Sequence, residues 1–157
     1  MNSSLVITPT DPTSSAIREL IAELDNYLAE RYPRYLLENN HDLDIAVLQD
    51  KSVTVFLAEF EREPVGCIAI KRLDPGYAEV KRMYVRPTLR GQGVGRRLLQ
   101  EIEAFAEQTN IHTLRLKTGI YQPEALKLFE RCGFYQIPPF GDYQPDPLCL
   151  FFEKVLP

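Results

Sequence analysis

The 157 residues contain no tryptophan, two histidines, two methionines and three cysteines. The cysteines, Cys67, Cys132 and Cys149, are odd in number, widely spaced and free of any C-x-x-C pair. That pattern argues against a disulfide framework or a thiolate zinc site and points to reduced thiols. With so few histidines, His41-Asp42-Leu43-Asp44 reads as a solvated loop rather than a ligand set and His112 as a turn residue, so no metal is expected. Long apolar runs are missing too. Nothing approaches the ~18 uninterrupted apolar residues of a membrane helix, and Met1 to Pro12 lacks a basic stretch followed by an apolar one. No membrane partner and a cytoplasmic location are therefore expected. Nor is positive charge in excess: 18 Lys and Arg against 22 Asp and Glu give −4, which argues against a nucleic-acid binder with a basic surface.

What is present is an ordinary globular mixture, 45% hydrophobic and 25% charged, in a chain sized for one domain spanning residues 1–157. A domain of this size buries roughly 70% of its unfolded surface, enough for a substantial core. The basic residues bunch: Lys81, Arg82, Arg86, Arg90, Arg96 and Arg97 fall within one short stretch, either a solvated face or a local anion site.

Periodicity divides the chain. Leu5 to Thr8 reads as a strand. Asp11-Pro12 then reads as a cap and first position of a helix over about Thr13 to Arg31, striped by Ile17, Leu20, Ile21, Leu24, Tyr27 and Leu28 and ended by Pro33. A second short helix is expected at Leu43 to Leu48. Val53 to Phe60 and Val65 to Leu73 form a hairpin across Glu61-Arg62-Glu63-Pro64, and a third strand runs from Tyr77 to Val85 after the turn Asp74-Pro75-Gly76. Val94, Leu98, Leu99, Ile102, Phe105 and Ala106 mark a helix from about Gly93 to Gln108. Leu114 to Thr118 is then a parallel strand reached by crossover. A helix around Ala125 to Phe129, closed by Gly133, and strands Phe134 to Ile137 and Leu148 to Val155 complete the pattern, with a Pro-rich segment, Pro138 to Pro147, between those strands. The expected class is α+β, with a mixed, mainly antiparallel sheet.

Between the strand ending at Val85 and the helix near Gly93 lie glycines at 91, 93 and 95. Glycines let backbone N–H groups close on an anion, and a helix start adds roughly half a positive charge; a tight strand-to-helix turn is the plainer alternative. A Walker loop needs Lys-Ser/Thr where Arg96-Arg97 stand. A dinucleotide fingerprint needs glycine at position 96 and an acidic residue where Lys117-Thr118 stand. Both fail, and with them a nucleotide kinase or a dehydrogenase.

What remains, Met83-Tyr84-Val85-Arg86-Pro87 followed by Arg90-Gly91-Gln92-Gly93-Val94-Gly95 and later by Ala125-Leu126-x-Leu128-Phe129-Glu130-x-x-Gly133-Phe134, resembles the GCN5-related N-acetyltransferase (GNAT) superfamily. The resemblance covers about Val53 to Lys154. It implies the GNAT fold, six or seven strands with about four helices, and an acyltransferase that moves an acetyl group from acetyl-CoA to an amine by direct attack. Met83, Tyr84 and Val85 are implied as the strand edge that pairs with pantetheine, through backbone groups of Met83 and Val85. Backbone amides from Arg90 through Gly91, Gln92, Gly93, Val94 and Gly95 to Arg96 are implied for the pyrophosphate, with the Arg90 or Arg96 side chain reaching the ribose phosphate or standing in solvent. Gln122 replaces an asparagine common at that helix start and keeps a contact with pantetheine in view.

An amine attacking a thioester must first lose a proton, since a lysine-like amine has a pKa of about 10.4. Glu79 stands where the histone-acetylating branch carries its glutamate and is the candidate base; a surface ion pair is the alternative. Strand alternation puts Tyr77, Glu79, Lys81 and Met83 on one face, so a lysine can hold that glutamate acidic. The tyrosine that often protonates the leaving thiolate is here Phe129, which leaves Tyr121 and Tyr143 as candidates or solvent in their place. Cys132, without a neighbouring histidine, reads as a core thiol. The resemblance places the acceptor pocket at Asp25 to His41 and Phe140 to Pro147, where Asp25, Glu30, Tyr27, Tyr32, Tyr35, Asp142, Tyr143 and Asp146 suit a cationic or amphipathic amine or are simple surface residues. A homodimer is compatible with all of this. The competing reading is a CoA-binding regulatory module without turnover.

Overall fold

The structure, a computed structural model, describes residues 4–32, 45–74 and 76–157. Among these residues, seven strands and four α-helices follow in the order β1 (Leu5–Pro9), α1 (Ser15–Arg31), α2 (Ile45–Leu48), β2 (Val53–Phe60), β3 (Glu63–Asp74), β4 (Tyr77–Val85), α3 (Val94–Gln108), β5 (Thr113–Gly119), α4 (Pro123–Arg131), β6 (Tyr135–Ile137) and β7 (Cys149–Val155). The order is the one the periodicity predicts.

The ends differ in ways with local causes. Helix α1 is capped by Ser14, whose hydroxyl accepts from the Ile17 amide, while Asp11 instead folds its carboxylate onto the Thr13 amide. The cap therefore lies three residues later than the Asp-Pro signal, because a carboxylate two residues before an amide closes an Asx turn as readily as it caps a helix. The β2–β3 connection shrinks to Glu61-Arg62. Both have positive φ, 51° and 71°, which is the two-residue turn whose twist matches paired strands. The expected strand from Phe134 begins one residue later, and Phe134 itself is buried core. Tyr35, His41-Asp42-Leu43-Asp44, Pro33 and the start of the second helix lie outside the described residues.

The sheet order is β1-β2-β3-β4-β5-β7-β6, antiparallel at every neighbour but β4–β5, which is parallel. Helices α1 and α2 cover one face, burying Ile17, Leu20, Ile21, Leu24 and Leu48 on Val55, Leu57, Cys67 and Ala69. Helices α3 and α4 cover the other, where Leu98, Leu99, Ile102 and Phe129 pack on Phe56, Ile68, Val80, Leu114 and Phe152. Each such fully buried side chain contributes roughly 1.5–3 kcal/mol, so the two layers clamp the sheet along most of its length.

Two irregularities of β4 position everything that follows. Its parallel pairing with β5 covers Tyr77↔Thr113, Ala78↔Leu114 and Glu79↔Arg115 and then stops, while β5 continues against β7 as far as Gly119. Opposite Ile68 the β3–β4 register also breaks, and Arg82 has φ 56°. This bulge inserts one residue and reverses the alternation beyond it. Ala78 and Val80 face the α3 side and so do Met83 and Val85, whereas Tyr84 packs on the α1 side. Met83 is thus not on the face of Glu79 and Lys81, correcting the expectation from strict alternation.

Candidate active site

Where β4 leaves β5, two cavities open that share Leu24, Met83, Gln122 and Ala125 in their linings. The larger, of about 530 Å³, lies along the glycine turn. The smaller, of about 200 Å³, lies at the fork of the strands.

The larger cavity is lined on one side by the glycine turn and the start of α3. Gly91 and Gly93 have φ of 77° and 86°, a region that L side chains rarely adopt, and Gly93 is the N-cap of α3 with no side chain capping it. The first amides of α3 therefore have no intrahelical acceptor and face the turn with the positive end of the helix dipole. A β-carbon on Gly91 or Gly93 would meet nothing within 4 Å, so the space beside the turn is open and it is the backbone angle that requires glycine. Gly95 has the other reason: a β-carbon would lie 2.7 Å from Leu128, where α4 packs against α3. Met83, Tyr84, Val85, Arg90, Val94, Arg96 and Gln122 join Gly91, Gly93 and Gly95 in the lining; Gln92 does not, and its side-chain amide turns back to the Thr88 carbonyl. Arg90 is held, its Nε donating to the Val85 carbonyl at 3.0 Å and its guanidinium 5.0 Å from the Tyr27 ring.

The basic cluster is accordingly not one patch. Arg86 grips Glu23 through two nitrogens and also Glu19 and the Pro64 carbonyl, pinning α1 to the sheet. Lys81 stands 3.7 Å from Glu79, and Arg82 donates to Asp25 at 2.9 Å.

The smaller cavity is walled by side chains. Glu79 is 5% exposed and accepts a 2.7 Å hydrogen bond from the Tyr143 hydroxyl, delivered by the Pro-rich segment before β7. The Tyr143 ring packs on Phe140 and Phe151, with the Lys117 ammonium 4.8 Å from its centroid. Across the cavity Tyr32, at the end of α1, accepts from the Tyr121 amide at 2.7 Å and lies 3.4 Å from Gln122 Oε1. Burial raises the pKa of Tyr32 above its ordinary value, keeping it a neutral phenol. Gln122 is the N-cap of α4, and its side chain accepts from the Gly119 amide. Gly119 leaves the room Tyr32 occupies, since a β-carbon there would collide with that phenol.

Of the candidate tyrosines, Tyr143 reaches Glu79, whereas Tyr121 is half exposed, stacks on Tyr32 at 5.3 Å and lines neither cavity. Phe129 lines the smaller cavity from a buried cluster with Phe134 and Phe152. Cys132 is half-buried, its thiol pushed up by burial, and Cys67, at about 12, is a core thiol. Asp25 lies beside the cavity, tied to Arg82, while Glu30, Asp142 and Asp146 do not line it. Sequence reasoning named Arg82 only as part of the basic stretch and not at the smaller cavity, which it lines at 9% exposure; a non-glycine bulge leaves no composition signal to place it there.

Residues 16–134 match the acetyltransferase (GNAT) family. The chain belongs to that family. Consistent with this GNAT membership, it is 43% identical to IAA acetyltransferase of Azospirillum brasilense over 154 residues, 98% of this chain and 99% of the relative. It superposes on the crystal structure of a candidate acyl-CoA N-acyltransferase from Klebsiella pneumoniae with a TM-score of 0.84 and 38% identity, covering 99% of each. A GNAT acetyltransferase from Elizabethkingia anophelis, solved with acetyl-CoA bound, shares the fold at a TM-score of 0.68 and 19% identity over 99% of this chain and 100% of that one. The fold is therefore the GNAT fold and the protein an N-acetyltransferase.

Proposed function

We propose that this GNAT protein transfers an acetyl group from acetyl-CoA to an amine of a small molecule or peptide by direct attack in a ternary complex, with Glu79 as base. The observation that carries the reading is the fork itself: an unpaired β4 edge from Val80 to Val85 leads from a buried carboxylate to a glycine turn at a helix start. An extended, amide-bearing pantetheine suits an open strand edge, as peptides that add a strand do. The amides of Gly91 to Arg96 suit its pyrophosphate. Among fold relatives, the Elizabethkingia anophelis protein holds acetyl-CoA.

Glu79 accepts the proton the amine must lose. Tyr143, already donating to that carboxylate, offers a route by which a proton returns to the leaving thiolate: the phenol gives its proton to sulfur and takes one from the protonated Glu79. That arrangement supplies an acid although Phe129 occupies the position where the family often has one. Positioning does the rest, since a neutral amine held at attack distance needs no covalent intermediate.

The test is release of free CoA thiol, read optically and by mass spectrometry of the product, on a broad amine panel, with IAA, the compound in the Azospirillum brasilense relative's name, tested beside it. Turnover above hydrolysis is expected. Tight CoA binding without turnover on any amine would favour a regulatory module.

A further inference from the structure

We infer that the acceptor carries a carboxylate beside its amine and that Arg82 receives it. This rests on the acetyltransferase reading and adds the acceptor's chemical class. Arg82 lines the cavity at the fork, and its side chain is 5% exposed. Nη2 donates to Asp25, yet Nε and Nη1 are both buried without an acceptor. A guanidinium is always charged and cannot shed its protons to escape that situation. Leaving buried donors of a charged group without acceptors is destabilising. The backbone adds to the cost, since Arg82 sits at φ 56°, outside the region that non-glycine residues favour. The bulge places an arginine in the cavity wall with two buried nitrogens unused.

The surroundings favour an anion. Among the described residues lining this cavity, Lys81, Arg82 and Lys117 are cationic and Glu79 is the sole carboxylate, in a protein whose net charge is −4. Lys81 and Tyr143 already engage Glu79. The hydroxyl of Tyr32 and the side chain of Gln122 close the opposite wall. Arg82 stands three residues along β4 from Glu79, a few ångströms to about 10 Å given ~3.3 Å per residue and the bulge between them. A compact molecule can therefore present its amine towards Glu79 while its carboxylate meets Arg82. The Asp25 carboxylate, one-third or more exposed, stays solvated if the arginine is removed, so substitution at 82 need not unfold the protein.

The experiment compares free amino acids with their carboxamides as acceptors. An amide's α-amine has a pKa near 8, below that of the amino acid, so at neutral pH intrinsic reactivity favours the amide and a preference for the acid must come from recognition. The wild type should prefer acids by tenfold or more in kcat/KM. Arg82→Met should reduce that acid-over-amide ratio at least tenfold through KM, and Arg82→Lys should restore part of it. Equal use of acids and amides by the wild type, or an unchanged ratio in Arg82→Met, overturns the inference while leaving acetyl transfer standing. Should no amine of any kind be acetylated, the functional reading fails instead, and ligand protection decides the question for Arg82. Benzoate, against benzamide as its neutral twin and with CoA present, should raise the melting temperature of the wild type and not that of Arg82→Met. No protection, or protection equal in both proteins, overturns the inference.

Discussion

The two cavities of this cleft are built from different materials. The larger takes its character from main chain, a glycine turn with positive φ and the bare first turn of α3. The smaller depends on side chains brought from distant points: Tyr32 from α1, Glu79 and Arg82 from β4, Lys117 from β5 and Tyr143 from the segment before β7. Backbone amides recognise a phosphate whatever else the molecule attached to it does, which suits a donor shared by a whole family. Converging side chains recognise one shape and charge pattern, which suits an acceptor peculiar to one protein.

Substitutions on either side can break that contrast. The largest expected effect is at Glu79. Glu79→Gln should lower the rate about 100-fold or more near pH 7, with the deficit shrinking as pH rises towards ~10 and amines deprotonate unaided. A pH–rate profile parallel to that of the wild type would remove Glu79 as base. Next comes Gly93→Val, which must place a β-branched residue at φ 86°. It should raise KM for acetyl-CoA about tenfold or more and lower stability by about 1–2 kcal/mol, leaving the acid-over-amide preference intact. An unchanged KM for acetyl-CoA would mean that the turn does not hold the donor.

A third substitution probes the boundary between the halves. Gly119→Ala forces Tyr32 off the Tyr121 amide and should cost about 1–3 kcal/mol in denaturant unfolding, by overpacking a close approach. The smallest effect tests a region outside both cavities. Tyr135 and Arg115 donate to Glu153 and hold its carboxyl below the ordinary range, although burial opposes them. A depressed carboxylate contributes stability above its unfolded pKa, near 4.3, and loses it as pH falls through the folded value. Glu153→Gln should therefore be less stable than wild type at pH 7 by at most about 1 kcal/mol, the gap closing as pH drops below about 4 in urea titrations.

The same division explains what was legible beforehand. Periodicity placed the described strands and α-helices in order, because the apolar stripe of α1 and the β-branched runs of β2 and β3 are local patterns that burial then enforces. The glycine spacing at 91, 93 and 95 marked the turn, because only glycine accepts positive φ at no steric cost. The face of Met83 was misread, because a bulge at an arginine carries no glycine to announce it. Whether the basic stretch from Lys81 to Arg97 formed one anion site could not be read either, because Glu19, Glu23, Asp25 and Glu79, which take three of its members apart, lie up to 67 residues away in the chain.

By itself, then, the amino-acid order determined the α+β sheet, the crossover that makes β4 and β5 parallel, and a helix start stripped of side chains, since each follows from interactions within a few residues. Only the tertiary structure decided that Tyr143 would meet Glu79, that Phe129 would join the core and that Arg82 would line a cavity with two nitrogens unpartnered. The physical reason is that these depend on where strands part and where one strand bulges, and such choices balance packing across the whole sheet.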